Sequence, residues 1–150
     1  LESKFLKEFD QFSQLFEITP AVSIYHYTAL DQEISDYLEE ILKDVVGGLS
    51  ILDTSLDINK LKMRSKPSSC DYAIVSNYLL DFDNSNLLMN MISRSLRDAG
   101  YIIILEDKNK NLSKVYELLE EFDYGAVSKI DIFEQYDLIM AKKLHMWGMD

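Results

Sequence analysis

Cysteine is nearly absent from this chain of 150 residues: Cys70 is the only one. That excludes an internal disulfide and argues against a metal centre built on thiolates. A reducing, cytoplasmic setting suits such a composition. Histidine is almost as scarce. His26 and His145 stand far apart in sequence, which speaks against a Ser-His-Asp constellation or a histidine-ligated metal. Positive charge is short as well, with 15 lysines and arginines against 26 acids and a net charge of −11. A field of that sign repels the phosphates of DNA and RNA, so nucleic acid is not an expected partner. The alternating Lys60, Lys62, Arg64 and Lys66 read as a solvated loop or strand face. No apolar run approaches the ~18 residues of a membrane span, and no cleavable signal is visible. Without a repeat, low-complexity tract or linker, residues 1–150 read as a single domain.

What is present is a clear pattern of elements. Phe5, Phe9, Phe12 and Phe16 recur at steps of four, three and four, which places four rings on one face of an amphipathic helix over residues 1–18. Such a stripe serves as core packing or as the contact for a second copy or a protein partner. A β-rich segment follows at 21–27, AVSIYHY, and Thr28 with Asp31 resembles a capping box opening a helix. That helix carries Ile34, Leu38, Ile41, Leu42 and Val45 on one side, and Gly47-Gly48 mark its end. The short strand LSILD occupies 49–53, and residues 54–69 read as irregular. Strand 71–76 and a helix bearing Leu87, Leu88, Met91, Ile92 and Leu96 come next. The turn Asp98-Ala99-Gly100 leads into the apolar YIIILED, suited to a sheet interior. Asn111 caps a helix with Val115, Leu118, Leu119 and Phe122 inside, and Gly125 lies just past it. Residues 126–133 and 136–144 form a final strand pair joined too tightly to be parallel. Strand–helix alternation from 21 to 125 predicts an α/β fold, with a mostly parallel sheet, helices on both faces, an antiparallel final strand and an added N-terminal helix.

The second half carries a resemblance. CDYAIVSNYLLDF (70–82), the stretch NLLMNMISRSLRDAGYIIILED and the closing YDLIMAKK together resemble the class I S-adenosylmethionine-dependent methyltransferases over about residues 70–144. The turn Leu96-Arg97-Asp98-Ala99-Gly100 keeps the length and last glycine of that family's Leu-Lys-Pro-Gly-Gly-like turn, without its proline. The resemblance implies a Rossmann-like sheet and S-adenosylmethionine as cofactor. It also implies cofactor contacts at Asp53, which ends LSILD, and at Ser76 and Asn77 after the next strand. Asp53 corresponds either to the acid after the family's second strand or to the one after its third, and the spacing of about twenty residues to Asp71 favours the third. Each of these residues has a plainer role available, in capping its own turn.

The first half departs from the family. Its members hold the methionine end of the cofactor over a glycine-rich loop, where a Cβ would keep the backbone from the ligand. The glycines here, at 47, 48, 100, 125 and 148, form no Gly-x-Gly pattern. If AVSIYHY is the family's first strand, its loop is Thr28-Ala29-Leu30-Asp31. If it is the second, the first strand is missing and the Phe-rich helix takes its place. The expected function is therefore a methyltransferase-like domain that has lost ordinary methyl transfer and works as a binding or interaction protein. Its contacts would run through the Phe stripe or through Trp147 in the apolar tail. The alternative is an active methyltransferase with an atypical cofactor site.

Overall fold

The structure, a computed structural model, describes residues 2–29, 32–55, 57–76, 79–80 and 84–144, with side chains from residue 6 onward. Parallel strands β1 (Ile24–Thr28), β2 (Leu49–Asp53), β3 (Cys70–Ser76) and β4 (Leu96–Asp107) are followed by β5 (Tyr124–Ile130) and β6 (Tyr136–Lys143). They form one six-stranded sheet in the order β2-β1-β3-β4-β6-β5, and β6 runs antiparallel to both of its neighbours. The near-continuous apolar character of β3 and β4 follows from their central place, since helices cover both faces there. On one face Leu61 of α3 (Ile58–Arg64), Leu88 and Ile92 of α4 (Ser85–Ser95), and Val115 and Leu118 of α5 (Ser113–Glu121) pack on Tyr27, Val75 and Ile104. On the other, Phe12 of α1 (Glu2–Ser13) and Ile34 and Leu38 of α2 (Gln32–Ile41) pack on Ile24, Ile74 and Ile103.

Phe9, Phe12 and Phe16 of the stripe turn inward. Phe12 is fully buried, its ring 5.2 Å from Phe16 and 5.4 Å from Phe133. Phe16 stacks edge-on to Tyr72 at 5.0 Å, and Phe9 meets Tyr37 at 5.5 Å. The helix is shorter than the stripe, ending at Ser13, whose hydroxyl turns back to donate to the Asp10 carbonyl at 2.7 Å. Phe16 still reaches the core from the turn beyond it. α1 therefore lies on the face of the sheet, and the idea that it replaces a missing strand is corrected. β1 and β3 pair directly from Ile24↔Tyr72 to Thr28↔Ser76, leaving no gap between them.

Other local expectations also shift. Residues 58–64, read as irregular, form α3, opened by the Asp57 carboxylate accepting from the Asn59 amide at 2.8 Å. Residues two apart share one face of a strand but lie on opposing sides of a helix, so Lys62 is turned away from Lys60 and Arg64, which share a face at four residues' spacing. α2 stops at Ile41, and turns carry the chain to Gly47, at φ +71°. Asp123, at φ 61°, takes the left-handed position after α5, while Gly125 already belongs to β5. Asp98-Ala99-Gly100 is absorbed into β4 as an irregularity of register. A Cβ on Gly100 would come within 2.9 Å of both the Arg97 and Asp71 carbonyl oxygens, so only glycine fits.

Candidate functional site at the carboxyl edge of the sheet

The connections set where a ligand would enter. From β1 the chain crosses over α2 to β2 on one side, and from β3 it crosses over α4 to β4 on the other. The loops after β1 and β3 thus leave toward opposite faces, and open α/β sheets hold ligands in the crevice at such a point. Its walls here are Thr28 and Ser76, paired in register and both buried, flanked by Asp53 at the end of β2 and Glu106 near the end of β4.

Beneath that crevice lies a polar knot. His26, fully buried, reaches the Ser76 hydroxyl from Nε2 at 2.7 Å and the Ser35 hydroxyl of α2 from Nδ1 at 3.1 Å. Burial disfavours its charged form and holds its pKa down to about 4, so the ring is neutral at physiological pH. A neutral imidazole donates through one nitrogen and accepts through the other, which matches two hydroxyl partners. His26, between Tyr25 and Tyr27 in the sequence, is thus built into the interior. The bridge to Ser35 and Ser76 joins residues 9 and 50 positions away, which no local spacing reveals.

Asp53 uses one carboxylate oxygen, Oδ1, on its own turn, accepting from the Ser55 amide at 2.9 Å and from the Ser55 hydroxyl at 2.6 Å. These bonds stabilise the carboxylate and lower its pKa, the hydroxyl contributing most. Next to it, the Thr54 amide donates to the Thr28 carbonyl at 3.0 Å. The Thr54 hydroxyl is buried with no hydrogen-bond partner, a feature that sequence reading passed over because threonine at a strand end is commonplace. Ser76 stands where the sequence placed it, and Asn77 lies outside the described residues. An acid at a sheet end is expected to face solvent, but Glu106 is 1% exposed, with the Leu80 amide 3.4 Å from Oε2 and Lys110 Nζ 3.9 Å from Oε1. Asp81 and Asp83, acids of a kind that can ligate metal, lie outside the described residues. Among those described, no group of three His, Cys, Asp or Glu is arranged to hold a metal ion.

The glycines decide the fit to S-adenosylmethionine. Gly48 precedes β2 and its carbonyl accepts from the Ile24 amide at 2.7 Å, Gly100 opens the regular part of β4, and Gly125 pairs with Lys142. Every glycine among the described residues thus sits toward the edge where the parallel strands begin. At the edge where they end, β1 closes on Thr28 and runs into Ala29, so the chain carries Cβ atoms there in place of the glycines of the family's loop. The family's usual hold on the methionine end of the cofactor does not fit these residues. The hydroxyl of Thr54 and the carboxylate of Asp53 remain as polar groups of the kind that bind ribose or adenine.

No family model matches the chain. Two Dictyostelium discoideum proteins, named "Probable polyketide synthase 44" and "Probable polyketide synthase 45", are each 29% identical over 97 residues, covering 61% of this chain. The chain spans only about 3% of the length of those curated relatives. Among solved structures, the CMeT domain of the citrinin polyketide synthase superposes with a TM-score of 0.63 at 14% identity, over 91% of this chain and 50% of that one. A structure described as a putative type 11 methyltransferase from Sulfolobus solfataricus gives a TM-score of 0.61 at 15% identity, over 84% of this chain and 86% of its own. No helix among the described residues is long and apolar enough to cross a membrane. The mostly parallel six-stranded sheet with its reversed end, together with these superpositions, identifies the fold as that of the class I S-adenosylmethionine-dependent methyltransferases.

Proposed function

We propose that this is a methyltransferase-like domain that has given up ordinary methyl transfer and works as a binding or interaction module, in a cytoplasmic, reducing setting. The observation that carries the reading is the lack of glycine at the end of β1, on the crevice at the switch point. Thr28 and Ala29 stand at the turn that glycine would occupy, and His26 ties Ser76 into the floor. Of the Phe stripe, Phe12 and Phe16 are spent on the domain's own core, and the side chain of Phe5 lies outside the described residues. Titration calorimetry with S-adenosylmethionine and S-adenosylhomocysteine tests the reading. No heat at millimolar ligand, from protein with a cooperative unfolding transition, is the expected result. A dissociation constant tighter than roughly 100 μM, about −5.5 kcal/mol, overturns it.

One observation favours a second reading, an active methyltransferase that holds its cofactor atypically near Asp53, Ser76 and Asn77. The partnerless Thr54 hydroxyl, buried beside Asp53, is a polar group in want of a hydrogen bond. Methyl transfer draws much of its rate from alignment of donor and acceptor, so it demands no particular catalytic side chain. On this reading Asp53→Ala weakens cofactor binding at least tenfold, and an unchanged affinity in that variant counts against it.

A further inference from the structure

Away from the cofactor edge, the sheet face that carries α1 is incompletely covered. α1 ends at Ser13, and beyond it a groove of about 540 Å³ opens over Leu15, Phe16, Tyr72, Tyr101, Ser128 and Met140. It shares Glu17, Tyr72 and Tyr101 with a second hollow of about 360 Å³ that runs to Arg97–Gly100, so the two make one furrow. The floor is aromatic: Tyr72 and Tyr101 stack with centroids 6.0 Å apart and planes at 17°.

The chain itself delivers an occupant to this place. Along β6, Met140, Lys142 and Leu144 share one face by the two-residue period of a strand. Met140 lies in the groove, and Lys142 stands opposite Tyr101. Leu144, 46% exposed, closes the strand at the corner where its amide donates to the Asp123 carbonyl at 3.2 Å. The segment that follows, outside the described residues, reads His145-Met146-Trp147-Gly148-Met149-Asp150, mostly apolar and carrying the only tryptophan of the sequence. Three residues past Leu144 reach about 10 Å when extended. Tyr101, across from Lys142, lies about 7 Å back along the strand by its rise per residue.

We propose that residues 145–150 dock in cis on this furrow, with Trp147 as the anchor over the Tyr101 end of the groove. A short tether holds a segment at an effective concentration in the millimolar range near its attachment point. The chain's own tail therefore outcompetes the tail of a second copy at ordinary protein concentrations. Docking puts an indole on an aromatic and methionine-lined floor, the chemistry such a ring prefers. The inference is independent of whether the carboxyl edge binds a cofactor.

The single tryptophan makes the test direct. The emission maximum of Trp147 and its quenching by acrylamide are measured in the full chain, in Ser128→Arg and in Met140→Glu, with the free hexapeptide as reference. Ser128 is exposed and Met140 half-exposed, so both variants retain the fold, which far-UV circular dichroism checks. The expected result is a blue-shifted, quencher-protected tryptophan in the wild type, constant on dilution, that moves to the hexapeptide values in both variants. Hexapeptide-like emission in the wild type overturns the proposal, and so does a protected tryptophan that neither variant disturbs. Protection that disappears on dilution, with a dimer seen by sedimentation, also overturns it and assigns the furrow to the tail of a second copy.

Discussion

At the edge where β1 to β4 end, side chains close the structure: His26 bridges Ser35 and Ser76, Glu106 is buried by the Leu80 loop, and Asp53 holds its own turn. At the edge where they begin, backbone and small residues do the work. Gly48 and Ile24 join main chain to main chain, and Gly100 lets β4 pass the Asp71 carbonyl. The Asp71 carboxylate accepts from the Ser23 amide and from the Arg97 guanidinium, both at 2.9 Å. Ligands of open α/β sheets come to the edge where the strands end, and that is where glycine would be needed for backbone approach. In this chain glycine lies at the opposite edge, beside an open aromatic furrow. The methyltransferase-like fold is thus built without a glycine in the turn after β1.

The contrast can be broken hardest at His26. His26→Ala leaves a cavity and strands the Ser35 and Ser76 hydroxyls, and a loss of about 2–4 kcal/mol is expected in urea denaturation. A variant as stable as the wild type would show that the knot is not what closes this edge. Acid titration addresses the same residue without removing it. Unfolded, His26 takes a proton near pH 6.5, whereas in the fold its pKa is about 4. The unfolded chain therefore binds more protons between those values, and stability falls as pH drops through that window, by on the order of 3 kcal/mol in all. Above pH 6.5 this group adds no pH dependence. Subtracting the profile of His26→Gln from that of the wild type isolates the effect, and superimposable profiles would refute it.

The opposite edge gives a smaller loss. Gly100→Ala drives a Cβ into two carbonyl oxygens, and the backbone shift that relieves the overlap costs about 1–3 kcal/mol, read as a lower urea midpoint at unchanged slope. Equal stability would mean that β4 tolerates a wider passage past Asp71. Asp53→Ala is expected to be the mildest, because the bonds lost are those of an exposed turn, about 1 kcal/mol or less. A loss several times larger would move Asp53 from local capping to a load shared with the core.

Much of this architecture was legible in the chain. LSILD, CDYAIVS and YIIILED announce strands because apolar and β-branched runs of that length, bounded by polar groups and turns, have no other economical burial. The link between the last two strands, residues 131–135, is too short for a crossover and forces them antiparallel. α3 was less legible: Ile58–Arg64 is too short for a periodic stripe, with Leu61 as its one buried side chain, and its start depends on the Asp57 cap. Asp53 and Ser76 were named correctly as residues at strand ends, but their partners were not. Ser55 is two residues from Asp53 and follows from turn chemistry. His26 is 50 residues from Ser76 and follows from nothing local.

The sequence by itself determined the α/β alternation, the reversed final strand, the absence of a glycine-rich turn after the first strand, and the acidic, cysteine-poor character of the chain, because each depends on residue type and near-neighbour spacing. Only the tertiary structure decided that Phe9, Phe12 and Phe16 face inward, that α1 covers the sheet instead of replacing a strand, that Glu106 is buried, and that His26 and Ser76 meet beneath the crevice. Those outcomes depend on which strand lies beside which, and the direct pairing of β1 with β3 brings together residues that the chain keeps far apart.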